Sequence, residues 1–287
     1  LAPLTASTTR LYRRWGWEVV DRHIKQRVRT AALAGLRGTG SLVVEPDADD
    51  ALQLRRRALI GWDGPIDEPP GWIDVLSVPE EKRGREHPRV GWCEDGELTG
   101  YLRYEARELP DGEWMVVHVE ELVVATHAAY LGLLGFLGGF EAQAAKIVFR
   151  HTSVHPRFPL LQLLPDADKQ IEVQGSICWM QRIVDLPSAI AARGWRGTDC
   201  SVDLEIHDPE TDATARWRLT VKGREGTIES GGDGRVRCGI GALAAWYCGG
   251  IAAQQAPLAG LMHGSAEDLE AMDAALGPTR PWLPDFF

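Results

Sequence analysis

Residues 177–195, ICWMQRIVDLPSAIAARGW, change character halfway. The first half is apolar, β-branched and aromatic and reads as a strand. Asp185 then stands in the N-cap region of a helix, Pro187 falls in its first turn, the body is small and apolar, and Gly194 sits where a C-cap belongs. Upstream, VGWCEDGELTGYLRYEAR (90–107) places Asp95-Gly96 between two β-rich runs, the pair that accepts the positive dihedrals of a tight hairpin turn. WMVVHVEELVV (114–124) supplies another long strand, Thr126 reads as the N-cap of a helix reaching to about Lys146, and IVFR (147–150) returns as a strand. A meander followed by a βαβ unit is the expectation for this middle region. Gly132, Gly135 and Gly139 share one helix face, which predicts close packing of that face on a neighbour.

Downstream of Trp195 come SVDLEIHD, ATARWRLTVKG, GTIES and GRVRCGI, alternating strands with turns at Asp208-Pro209 and at Gly231-Gly232-Asp233-Gly234. Two helices are expected after them, Ala242 to Ala253 and Ala266 to Leu276. Strands first and helices last argue for a separate α+β domain of about a hundred residues. At the other end, residues 1 to about 22 read as a helical turn closing at Trp15-Gly16-Trp17 and a strand, WEVV, too short to bury a core alone. A loop rich in Gly and acidic residues leads from there to a helix at Ala51 to Leu59.

The chain has 287 residues, 44% hydrophobic and 25% charged, the composition of an ordered globular protein. Its net charge of −10, with no dense Lys/Arg tract, lacks the electrostatic footprint of a nucleic-acid or anionic-membrane surface and suits a cationic small molecule better. Five scattered cysteines without a C-x-x-C pair fit reduced thiols and exclude a zinc ribbon. The opening twenty residues do not form a signal peptide. Leu122 to Phe140 has the length of a membrane span, but its strand-like front half, the cap at Thr126 and its glycines argue against that reading.

Several motifs weigh less than they first suggest. His151 and His155 have metal-pair spacing, yet no glutamate accompanies them and Pro156 follows, so they read as loop histidines and no metal is expected. Gly35-x-x-Gly38-x-Gly40 lacks a Gly-Lys-Ser/Thr ending and precedes a strand, which makes it a linker. Trp62, Trp72 and Trp92 lie near acidic residues, where an aromatic face can hold a cation, although each taken singly reads as core.

STTRLYRRWGW (7–17) carries more. A Tyr three positions before an aromatic-Gly-aromatic turn resembles the Y-x-x-x-G-F/Y ending of GCN5-related N-acetyltransferases. With GYLRYE (100–105), the 177–195 segment and a chain closing on Asp285-Phe286-Phe287, the sequence as a whole resembles the Eis (enhanced intracellular survival) acetyltransferases. That resemblance implies an acetyltransferase-like (GNAT) mixed α/β sheet followed by a sterol-carrier-like α+β domain. The corresponding divisions are 1–25 as the tail of an N-terminal acetyltransferase domain, 26–175 as a central acetyltransferase-like domain and 176–287 as the sterol-carrier-like domain. It implies acetyl-CoA as co-substrate, an amine substrate of aminoglycoside, polyamine or lysine type, a hexamer and a cytoplasmic location. It also implies a coenzyme A pyrophosphate loop upstream of the tyrosine motif, a segment this sequence begins too late to contain. Among individual residues it points to Tyr12 and the Phe287 carboxylate for catalysis, to Asp285, Phe286 and Trp72 for the amine, and to Ser7 for the cofactor. The competing class is a non-catalytic sterol-carrier-like lipid-binding or scaffolding protein.

Overall fold

The Asp95-Gly96 pair turns the chain as its sequence predicts. Both residues take positive φ, 50° and 84°, and they join β4 (Arg89–Glu94) to β5 (Glu97–Arg107) in antiparallel register. The computed structural model describes residues 1–60, 88–108, 115–150, 159–279 and 281–284. These fall into two units, one made of residues 23–60 and 88–176, the other of 1–22 and 177–284.

In the first unit β5 pairs with β6 (Val116–Val124) to complete the meander. A helix, α4 (His127–Gly138), then crosses back to β7 (Lys146–Phe149), which lies parallel to β6. That sheet also takes in β2 (Glu18–Arg29), β3 (Ser41–Val44) and β8 (Ile171–Arg182), in the order β8-β2-β7-β6-β5-β4-β3, while β1 (Ala2–Thr5), which belongs to the second unit, pairs antiparallel with Trp179–Arg182 of β8 in that same unit. Alternate residues of the strands, Leu102, Val117, Val119, Ile147 and Phe149, face Leu133, Leu134 and Leu137 of α4 in one core. Burying each of these side chains is worth roughly 1.5–3 kcal/mol. Gly132 and Gly135 of α4 pack closely, though not only on strands, whereas Gly139 lies just past the helix and is exposed, its place on the packed side taken by Gly138. A Cβ at Gly132 would lie 2.5 Å from the Trp92 ring, and one at Gly138 would lie 2.5 Å from Ala34, just past the short helix Thr30–Leu33. The helix stops at Gly138, not near Lys146, because the tight turns that close it switch to i+3 bonds, Phe140 N to Leu137 O and Glu141 N to Gly138 O. The membrane-length segment is thereby split between β6 and a helix of 12 residues, and among the described residues no helix is long and apolar enough to cross a membrane.

The second unit holds its own five-stranded sheet in the order β11-β10-β9-β12-β13: β9 (Cys200–Asp208), β10 (Ala213–Lys222), β11 (Glu225–Ser230), β12 (Val236–Gly239) and β13 (Met262–His263). Its core joins Leu204, Leu219 and Met272 to two fully buried tryptophans, Trp195 and Trp246, with ring centroids 6.1 Å apart. Asp185 caps the helix Leu186–Ala192 by accepting from the Ser188 amide. That helix ends at Arg193 in extended conformation and not at Gly194. The helix expected over 242–253 runs over Ile240–Tyr247 instead, since Gly249 leaves the helical region at φ 81°. The helix Ala266–Leu276 forms where expected, with Ser265 as its cap. Strand β8 runs without a break through positions 175 and 176, where the sequence reading divides the domains.

Candidate functional site: the Tyr12 turn

Thr9–Arg13 form one helical turn, α1, which continues directly into the sharp bend at Gly16. The carbonyl of Tyr12 accepts from the Trp15 and Trp17 amides at 2.9 and 3.2 Å, so backbone bonds alone fold the motif back on itself. Gly16 takes φ 81°, and a Cβ there would lie 2.0 Å from the Arg182 guanidinium, so the central glycine of the motif is required twice. The Tyr12 ring is half-buried and meets Trp17 edge to face, 6.3 Å between centroids. The indole of Trp17 donates to Ala2 O at 3.0 Å, and Arg13 grips the buried Glu18 carboxylate through Nε at 2.8 Å and Nη2 at 2.6 Å, a bond that raises the Arg13 pKa.

Below the turn lies Arg182, the last residue of β8, with its side chain only 6% exposed. One arm donates to the Trp15 carbonyl, the other to Asp208 at 3.0 Å and Glu210 at 2.6 Å, and the guanidinium lies 5.4 Å from the Trp17 ring centre. The sequence reading took Arg182 as an ordinary strand residue. Its isolation among apolar neighbours in CWMQRIV was the available signal, since a charge on a buried strand needs partners.

Ser7 is exposed in the bend between β1 and α1. Trp72, Asp285, Phe286 and Phe287 lie outside the described residues, as do Trp62, His151 and His155. Trp92 is a packing residue: it covers Gly132 and donates through its indole to Thr39 O at 3.3 Å. Among the described residues no group of three or more His, Cys, Asp or Glu could hold a metal ion, and none of the five cysteines forms a disulfide.

The first unit carries polar chemistry of its own. On the sheet face away from its core, Glu105 stands opposite His118 in the β5/β6 register, and Arg150 reaches Glu120 at 3.1 Å and Glu105 at 3.6 Å. Burial first, and Arg150 and Arg107 second, lower the His118 pKa to about 4. Burial raises the Glu120 pKa. At the N-terminal end of α4, Thr126 Oγ1 accepts from the Ala129 amide while its hydroxyl donates to Glu94. The Glu94 carboxylate also accepts from Thr99 at 2.6 Å, and the two hydroxyls lower its pKa. This helix end, the usual place for a phosphate after a strand in an α/β unit, has a carboxylate built into it.

Residues 64–183 match the family model described as an acetyltransferase (GNAT) domain, and residues 186–284 match a sterol carrier protein domain. Among solved structures, a GCN5-related N-acetyltransferase from Anabaena variabilis is similar over 99% of this chain and 72% of its own, at 20% identity and TM-score 0.86. One from Kribbella flavida, 27% identical with TM-score 0.80, aligns over 99% and 70%. Eis1 from Mycobacterium abscessus, 22% identical with TM-score 0.75, aligns over 100% and 73%. No curated protein matches. The fold is therefore a mixed α/β acetyltransferase (GNAT) fold joined to a sterol-carrier-like C-terminal domain. In particular, the chain carries an acetyltransferase domain of the kind whose solved neighbours include Eis1.

Proposed function

We propose that the protein is an acetyl-CoA-dependent N-acetyltransferase of cationic amines, of aminoglycoside, polyamine or lysine type. The observation that carries this reading is the half-buried Tyr12 on a turn fixed from both sides, in a chain with this pair of domains. Acetyl-CoA supplies the activated acyl group. The Tyr12 hydroxyl holds the proton that the departing thiolate needs. An ordinary tyrosine near 10 is a weaker acid than a thiol near 8.5, so that transfer runs uphill by about 2 kcal/mol, a gap that amide formation can draw forward.

The helix end at Thr126 does not suit a pyrophosphate, because Glu94 stands there. In this reading the coenzyme is gripped on the Tyr12 side, where Ser7 belongs to its binding surface. Asp285, Phe286 and Trp72 receive the ammonium group of the substrate, the Phe287 α-carboxylate takes the proton the amine must lose before its nitrogen attacks the thioester carbonyl and the C–S bond breaks, and the acidic balance of the chain favours the amine's approach. The hexamer and the cytoplasmic location belong to the same proposal, and light scattering on the purified protein checks the former. A non-catalytic lipid carrier would instead have to open the C-terminal core, which Trp195 and Trp246 fill.

The test uses the protein translated from the start of its own reading frame. Tyr12→Phe is expected to depress turnover by about a hundredfold or more while acetyl-CoA affinity stays near parental. Near-parental turnover rejects the assignment.

A further inference from the structure

We infer that Arg182 is a positioning residue for Tyr12, and that through it the sterol-carrier-like domain sets the geometry of the tyrosine turn. The inference rests on the reading above, in which Tyr12 is the proton donor.

Three observations converge on this one side chain. Arg182 donates to the Trp15 carbonyl at the tip of the turn. It lies under the Trp17 ring, 5.4 Å from its centre, and Trp17 in turn meets Tyr12 edge to face. Its Nη2 donates to Asp208, the last residue of β9, and to Glu210 just beyond, both in the sterol-carrier-like domain. A guanidinium is rigid and planar, so holding its Nη2 between two carboxylates constrains where Nη1 points, which is at the Trp15 carbonyl. The side chain is 6% exposed, which removes most competition from water for these bonds. Gly16 opens the space: any side chain there would occupy the volume the guanidinium fills. Lysine cannot reproduce the arrangement, because an ammonium group offers no plane to stack on Trp17 and no fork to bridge Trp15 with Asp208 and Glu210.

The consequence is a division of labour. The Tyr12 hydroxyl touches the reacting atoms, whereas Arg182 acts only through Trp15 and Trp17. Misplacing a proton donor by an ångström costs up to about a hundredfold in rate without weakening cofactor binding.

The experiment compares parent, Arg182→Gln, Arg182→Lys, the double variant Asp208→Asn/Glu210→Gln and Tyr12→Phe. The readouts are kcat and acetyl-CoA KM for the intact enzyme, and hydrogen exchange at the Trp15 and Trp17 amides. Arg182→Gln is expected to lower kcat by roughly tenfold to a hundredfold with KM within about twofold, and to speed exchange at both amides. Arg182→Lys should recover only part of the loss. The double variant keeps amide acceptors at both positions, on side chains 29% and 53% exposed, and urea midpoints measured for every variant separate a loss of fold from a loss of positioning. The double variant should fall between parent and Arg182→Gln in both kcat and exchange. Parental kcat in the double variant and in Arg182→Lys, with Tyr12→Phe inactive, overturns the positioning role and leaves the proton-donor reading standing. Parental kcat in Tyr12→Phe overturns both, and the two failures are distinguished by that single variant.

Discussion

The two units handle ionisable groups in opposite ways. In the unit of residues 23–60 and 88–176, Glu105, His118, Glu120 and Arg150 form a network spread along one sheet face, and the end of α4 is closed by Thr126 and Glu94. In the unit of residues 1–22 and 177–284, one buried arginine gathers two carboxylates, a carbonyl and an indole around a single turn. The first leaves the buried Nδ1 of His118 without a hydrogen-bond partner among the described residues. The second holds a half-buried tyrosine in a fixed pose. The acetyltransferase model matches residues 64–183, mostly in the first unit, whereas Tyr12 belongs to the second. The fold match and the proposed proton donor therefore fall in different parts of the chain.

The contrast breaks first under core substitutions. Trp246→Ala removes a fully buried ring from the second unit and is expected to cost about 3–5 kcal/mol. Leu134→Ala, fully buried in the first unit, is expected to cost about 2–5 kcal/mol. Hydrogen exchange resolved by residue should show each loss concentrated in its own unit. Uniform loss of protection across the chain would mean that the units do not differ as separate bodies.

Acid sharpens the contrast further. His118 has a folded pKa of about 4, below the ordinary 6.5, so the unfolded chain binds the extra proton first. Its contribution is complete above pH 6.5 and is lost as pH falls toward about 4. Asp203 in the second unit is lowered to about 2 by its bond from Arg218 and by the Asp233 amide. Its contribution is complete above the ordinary carboxylate value and disappears only as pH falls toward about 2. Denaturant midpoints against pH should thus show the first unit weakening before the second. His118→Asn should flatten the pH 6.5 to 4 segment, and an unchanged slope in that variant would assign it to another group.

A smaller effect is expected at the helix cap. Thr126→Ala removes the hydroxyl that accepts from Ala129 and donates to Glu94, and should cost about 1 kcal/mol, seen as a lower urea midpoint with an unchanged slope. No change in midpoint would show that water replaces the cap.

Much of this architecture is legible in the sequence because it rests on local chemistry. Asp95-Gly96, the caps at Thr126, Asp185 and Ser265, and the period-two strands of the C-terminal sheet each follow from a few adjacent residues. Helix ends are less legible. Arg193 leaves its helix by extended dihedrals and Gly138 is followed by i+3 turn bonds, neither of which a dipeptide announces. The strands Ala2–Thr5 and Met262–His263 are too short to carry a period, and only their partners make them strands. At the site, Tyr12 is visible as a motif, whereas Arg182 lies 170 positions along the chain and acquires its partners only on folding. Glu94 likewise looks like any acidic residue beside a turn until Thr126 is brought to it.

The claim that the chemistry belongs to the Tyr12 turn, and not to the central helix end, is tested most directly by one paired measurement. Turnover and acetyl-CoA affinity are determined for Tyr12→Phe and Glu94→Gln in the intact enzyme. The account predicts turnover depressed by about a hundredfold or more in Tyr12→Phe, with affinity unchanged, and parental values for Glu94→Gln. Near-parental turnover in Tyr12→Phe, or loss of acetyl-CoA binding in Glu94→Gln, would contradict it.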